Sequence, residues 1–186
     1  MADFPVFGDR SALPRRLAGL ELHGVEVYDD PRAGASVRYH GPHGLKADAY
    51  LYDLGLPSIP ADLRSPEVME WFQEACRGVF LYRDRGLYHD LEVRDSRFLH
   101  LPTDAPEPFC LHACFAYRQE PGEGVAHEGM RVSHLALRID RGFINKVRFT
   151  YPDDADFARV AAEAFLVFLL GWAKAVQEAG APAGGT

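Results

Sequence analysis

A chain of 186 residues, 47% hydrophobic and 25% charged, is sized for one globular domain with a core of its own. A net charge of −7 and an isoelectric point near 5.6 argue against a nucleic-acid partner, because phosphate contacts need a basic footprint. Three cysteines, an odd number, do not make a disulfide scaffold.

Residues 1–19, punctuated by Pro5, Gly8, Pro14 and Gly19, are expected to form an N-terminal arm. They contain no basic segment followed by an apolar run, so a cytoplasmic protein is expected. A single α+β domain is expected over residues 20–178, with residues 179–186 as a flexible tail.

GVEVYDD and ASVRYHG read as short strands, and LKADAYLYDLG as a clearer one. In the last, Leu45, Ala47, Ala49 and Leu51 share one face, while Lys46, Asp48, Tyr50 and Tyr52 share the other, a polar-aromatic row suited to a partner or simply to solvent. A loop over residues 40–44 would set Tyr39 opposite Leu45 and Val37 opposite Ala47, with His40 and His43 at the hairpin tip.

SPEVMEWFQEACRGVF carries the signs of a helix start. Ser65 caps, Pro66 fits the first turn and Glu67 complements the positive helix end. Val68, Trp71, Phe72, Ala75, Cys76 and Val79 then make one apolar face, which places Cys76 in the core with a raised pKa. LYHDLEVRD, SRFLHLP, PFCLHACFAYR, VSHLALRID and FINKVRFTY read as further strands; in the last, Lys146, Arg148 and Thr150 oppose Phe143, Val147 and Phe149.

A long closing helix follows, capped by Asp153 or Asp154, with Gly180 just past its end. Phe165, Phe168, Leu169 and Trp172 form its core stripe, whereas Leu166, Val167 and Leu170 fall partly outside it. Its most apolar run, AAEAFLVFLLGWA, is shorter than the ~20 residues a bilayer crossing needs, so no membrane partner is expected. The surplus of apolar positions calls for cover on more than one side, by the arm, a second layer or a second copy of the chain.

The order of elements implies an α+β fold: an antiparallel sheet of about six strands flanked by a mid-chain helix and a long C-terminal helix. In GLKADAYLYDLG, the mid-chain helix, and INKVRFTYP leading into the apolar last helix, the layout resembles PsbP-like sandwiches over roughly residues 20–178. That resemblance implies a non-enzymatic binding or assembly role.

The pattern C-x-H-x-C in FCLHACFAY invites a chemical reading. On a strand, Cys110, His112 and Cys114 share a face, but the two cysteines then lie about 13 Å apart. One zinc ion with bonds near 2 Å does not gather all three, so no metal is expected. A thiol nucleophile needs a helix N-terminus or a nearby cation, and neither is legible beside Cys110 or Cys114. No glycine-rich cofactor loop or nucleophile elbow occurs, so neither a cofactor nor a catalytic residue is assigned. The leading expectation is a non-enzymatic protein-interaction or assembly domain, working through a protein partner or self-association by the C-terminal helix. The alternative is a small-molecule-binding protein or hydrolase with a pocket between sheet and helix, for which Cys110, His112, Tyr117 and His134 are the candidate ligand-binding residues.

Overall fold

The computed structural model describes residues 13–101, 106–119 and 129–179. Eight strands form one antiparallel sheet: β1 (Arg16–Leu17), β2 (Leu20–Val27), β3 (Ala35–His40), β4 (Lys46–Tyr52), β5 (Tyr88–Leu99), β6 (Cys110–Gln119), β7 (Gly129–Asp140) and β8 (Phe143–Pro152). Helix α1 (Pro66–Asp84) links β4 to β5, and α2 (Ala155–Glu178) closes the chain. The order across the sheet is β1-β2-β3-β4-β8-β7-β6-β5, so two four-stranded meanders meet where β4 pairs with β8.

The α+β class and both flanking helices agree with expectation, but there are eight strands instead of about six. Part of the arm adds β1, whose Leu17 pairs with Leu20. LYHDLEVRD and SRFLHLP are one strand, β5, bulged between His89 and Glu92 and again between Val93 and Asp95. Each bulge inserts a residue and breaks the alternation, which is why the segment reads as two pieces. The tail from residue 180 onward, Gly180 included, lies outside the described residues.

The β3–β4 register departs from expectation by two residues. Tyr39 faces Ala47, Val37 faces Ala49, and Arg38 faces Asp48. The loop is residues 41–45, closed by the Gly41 N–H donating to the Leu45 carbonyl at 2.8 Å. His43 and Gly44 take the left-handed conformation there, with φ of 55° and 73°. A two-residue slip keeps every side chain on its face, so the apolar row stays inside. It also replaces the like-charged pair Arg38–Lys46 with an opposite-charged one, Arg38–Asp48.

The sheet is buried on both sides, unequally. On one face α2 lays Phe165, Phe168, Leu169 and Trp172 over Val37, Tyr39, Ala47, Ala49, Val147 and Phe149. The arm joins this layer: Leu13 is buried, the Tyr39 hydroxyl donates to the Pro14 carbonyl at 2.9 Å, and Leu17 lies where a Cβ on Gly171 would meet it at 2.8 Å. On the other face α1 packs Val68, Phe72 and Val79 on Leu111, Ala113, Phe115, Leu135, Leu137 and Ile144. The Ser65 hydroxyl accepts from Val68 N–H at the start of α1, as expected. Cys76 is half-buried, less enclosed than its helical spacing suggests, and burial pushes its thiol up to about 11. Helix α1 packs chiefly on the β5–β6–β7–β8 side, with Tyr52 of β4 partly buried against the same cluster.

Candidate functional site

On the α2 side, Cys110, His112 and Cys114 share one face of β6, as the alternation requires. Cys114 stands directly across from His134 in the β6–β7 ladder, which brings His112 and His134 into diagonal contact. His112 Nε2 and His134 Nδ1 are 2.9 Å apart, and His134 Nε2 is 3.0 Å from the Tyr151 hydroxyl. The second nitrogen of His112, Nδ1, is buried without a hydrogen-bond partner and has the Asp95 carboxylate 3.8 Å away. A carboxylate facing that nitrogen favours a proton on it. His112 Nε2 then accepts from His134 N–H, and His134 Nε2 accepts from Tyr151.

The row is therefore a hydrogen-bonded run of protonatable groups from buried Tyr151 through His134 to His112, with half-exposed Asp95 3.8 Å beyond it. Burial holds both imidazoles neutral: His134 is depressed to about 4, with the neighbouring His112 adding to the effect, and His112 is lowered against the opposing pull of Asp95. Phe165 of α2 covers the pair, its ring 4.4 Å from that of His134 and 5.6 Å from that of His112. Cys110 is buried, and desolvation raises its thiol to about 12. Among the described residues, no group of three or more His, Cys, Asp or Glu side chains is arranged to hold a metal ion.

Tyr117 does not join this row. Its odd position puts it on the α1 side, where its ring stacks on Tyr88 at 3.9 Å, and Tyr88 stacks in turn on Tyr82 at 5.2 Å. Beside this stack stands Arg148. Its Nε donates to Ser133 Oγ at 3.0 Å, and its Nη2 donates to the hydroxyls of Tyr88 at 3.0 Å and Tyr117 at 3.3 Å. Two residues along β8, the Lys146 ammonium lies 4.2 Å from the centre of the Tyr50 ring and 5.7 Å from that of Tyr52. The β4–β8 ladder sets Asp48 across from Arg148 and Tyr50 across from Lys146. Burial pulls Lys146 down to about 8, Arg148 adding to the shift, and burial raises Asp48.

The outer side of α2 is a third feature. Val160, Leu166, Val167 and Leu170 are 41 to 56% exposed, a contiguous apolar strip on the side away from the sheet. By length and composition α2 would also suffice to cross a membrane, though its aromatic side is buried in the fold.

No family model matches the chain, and no curated protein matches it. The chain has a weak fold-level resemblance to PsbP. The solution structure of cyanobacterial PsbP (CyanoP) from Synechocystis sp. PCC 6803 aligns with a TM-score of 0.43 and 10% identity over 81% of this chain and 84% of that one.

Of the four residues singled out from sequence, His112 and His134 meet, Cys110 lies on their face, and Tyr117 sits across the sheet. Tyr151 and Asp95, which complete the histidine row, were missed. Tyr151 comes from a strand whose pairing with β7 brings it to His134, and Asp95 reaches His112 past a bulge. Lys146 and Arg148 were legible as the polar row of β8, but nothing local shows that Tyr50 and Asp48 stand opposite them.

Proposed function

We propose that this protein is a non-enzymatic contact domain that pairs with a second copy of itself through the outer face of α2. The observation that carries the reading is the order of side chains along that face. Arg159, Glu163, Val167, Leu170, Lys174 and Glu178 follow one another at helical spacing, and all six are exposed. Two such helices, packed antiparallel about a two-fold axis passing between residues 168 and 169, set Val167 against Leu170, Glu163 against Lys174 and Arg159 against Glu178. Every charge meets its opposite, and apolar pairs occupy the centre. Such an interface is isologous, the commonest closed arrangement of soluble proteins.

Within one chain Arg159 lies 3.6 Å from Glu163 and Lys174 3.6 Å from Glu178, so pairing extends each ion pair across the axis. Exposed ion pairs contribute at most about 1 kcal/mol each, so they set orientation, while burial of Val160, Leu166, Val167 and Leu170 supplies affinity.

Sedimentation velocity across a concentration series tests this. The native chain is expected to dimerise, Val167→Glu with Leu170→Glu to give a folded monomer, and Glu163→Lys to weaken association. Adding Lys174→Glu to Glu163→Lys restores the pairing of opposites and with it the dimer. A monomer at every concentration overturns the reading, as does a dimer indifferent to these changes. Flotation of a monomer with anionic vesicles would assign the strip to lipid and overturn it equally.

A further inference from the structure

We propose that the half-open face of the sheet between β4 and the edge of α1 is a binding site for a small organic anion, whose carboxylate or phosphate is held by Arg148 and Lys146. The site owes nothing to α2, which lies on the opposite face, so it stands or falls separately from self-association.

The first observation is a half-buried cation that makes no ion pair, although Asp48 stands across from it in the ladder. Among the described residues, every side-chain hydrogen bond of Arg148 goes to a neutral oxygen, those of Ser133, Tyr88 and Tyr117. Among the described residues no carboxylate lies within ion-pairing distance of it. A guanidinium taken out of water ordinarily has a carboxylate partner, because its desolvation is otherwise compensated only in part. Here three neutral oxygens fix the Nε and Nη2 side of the guanidinium, and the two Nη1 hydrogens remain uncommitted.

The second observation is that another cation stands in the same condition. Lys146, two residues along on the same face, makes no hydrogen bond or ion pair among the described residues; its ammonium rests on the rings of Tyr50 and Tyr52. Both residues are half-buried, and so is Asp48 beside them, so the group is partly shielded yet open to water. Two cations against one carboxylate leave a local positive charge in a protein of net charge −7.

The third observation is the lining. Tyr82, Tyr88 and Tyr117 form a stacked ladder alongside Arg148, and Tyr50 and Tyr52 flank Lys146. Rings of this kind suit an apolar or aromatic body attached to the anionic group, with the arginine and lysine fixing its orientation. Lysine supplies a point charge and arginine directed donors, the pairing that carboxylate and phosphate recognition uses. Asp48 would face the same anion and disfavour it, which sets the direction of one variant below.

The test is isothermal titration of the full chain with inorganic phosphate, phenyl phosphate, benzoate and phenol, with sodium chloride at matched ionic strength as the control. Phenyl phosphate or benzoate is expected to bind, and phenol and chloride are not. The tighter of the two anions tells phosphate from carboxylate, and either result supports the site. Lys146→Met, which removes a charge and keeps the side-chain bulk, is expected to weaken binding by roughly tenfold or more. Asp48→Asn is expected to tighten it several-fold, and Arg64→Met, a surface cation paired with Glu107, to leave it unchanged. If no probe binds, if chloride acts as well, if Lys146→Met binds like the native chain, or if Asp48→Asn weakens binding, the proposal fails. Far-UV circular dichroism of Lys146→Met and Asp48→Asn establishes that each is folded before it is titrated; should either unfold, Lys146→Gln or Asp48→Ser takes its place.

Discussion

The indole N–H of Trp172 donates to Asn145 Oδ1 at 2.8 Å, joining the closing helix to β8 inside the core. Asn145 Nδ2 donates in turn to Asp140 Oδ2 at 2.8 Å, and Asp140 Oδ1 accepts from Arg138 Nη2 at 2.7 Å. All of Trp172, Asn145 and Asp140 are buried. Such a network is stabilising when satisfied and costly when broken, because each orphaned group keeps its desolvation penalty. Asn145→Ala strands the indole N–H and one carboxylate oxygen, and is expected to destabilise the fold by roughly 2 to 4 kcal/mol. Urea unfolding should show the midpoint falling with the slope unchanged; a loss below about 0.5 kcal/mol would mean water replaces the amide.

The histidine row makes stability depend on pH in a stated direction. His134 is depressed to about 4 in the fold, against about 6.5 when unfolded. Between these values the unfolded chain binds more protons, so stability rises with pH across that window and is fully present above it. The shift corresponds to at most about 3 kcal/mol lost by pH 4. The groups facing His134 are His112, Asp95, Tyr151, Cys114 and Phe165; of these only Asp95 favours its charged form. Imidazole carbon and nitrogen shifts of His134 should stay those of a neutral ring at pH 5.5. A midpoint near 6.5 would show that water reaches the row.

The parts of this fold that were legible in the sequence are those whose signal is local. Ser65-Pro66-Glu67 ahead of a three-and-four apolar rhythm specifies α1, and the alternation in β4, β6, β7 and β8 survives because those strands lack bulges. In β2 a register shift between Leu22 and Gly24 hides half the strand. In β5 two bulges, with Asp90 at a φ of 53°, split one strand into two apparent ones. The β3–β4 register could have been read correctly from charge, since Arg38 fits opposite Asp48 better than opposite Lys46. The cluster of polar and aromatic side chains on the α1 side was half legible: both polar rows were evident, but their meeting depends on β4 (Lys46–Tyr52) pairing with β8 (Phe143–Pro152) far along the chain. Long-range pairing leaves no mark in a short window. The same holds for Tyr117, grouped with the histidines by proximity in sequence, though its parity on β6 already assigns it to the other face.

The thiols should be poor nucleophiles, each to its own degree. Burial raises Cys76 from 9.0 to about 11 and Cys110 to about 12. At pH 7.5 the thiolate fraction of Cys76 is then roughly a hundredfold below that of an unperturbed thiol. Native protein treated with a thiol reagent should label Cys76 slowly, and Cys110 more slowly still, with unfolded protein labelling fast at all three cysteines. Cys110 labelling ahead of Cys76 would mean that the α2 face opens more readily than the α1 face.

Lys146 is a place where stability is given up. Its ammonium lies against Tyr50 and Tyr52 without a hydrogen bond, facing Asp48 and Arg148, and burial with the Arg148 charge lowers it to about 8. An unfolded lysine titrates near 10.4. Below pH 8 both states are protonated and the folded one carries the full penalty, at most about 3 kcal/mol; as pH rises from 8 to 10.5 the unfolded chain holds the extra proton and the penalty fades. Half-exposure and the cation–π contacts reduce the realised value. Lys146→Met is therefore expected to stabilise the fold by about 1 to 2 kcal/mol at pH 7, with the gain shrinking toward zero by pH 10.5. Urea unfolding of both chains at pH 7 and pH 10 measures this. A methionine variant less stable than the native chain at pH 7 would show that the ammonium is well solvated, and would remove the reason to regard this cation as kept for a ligand.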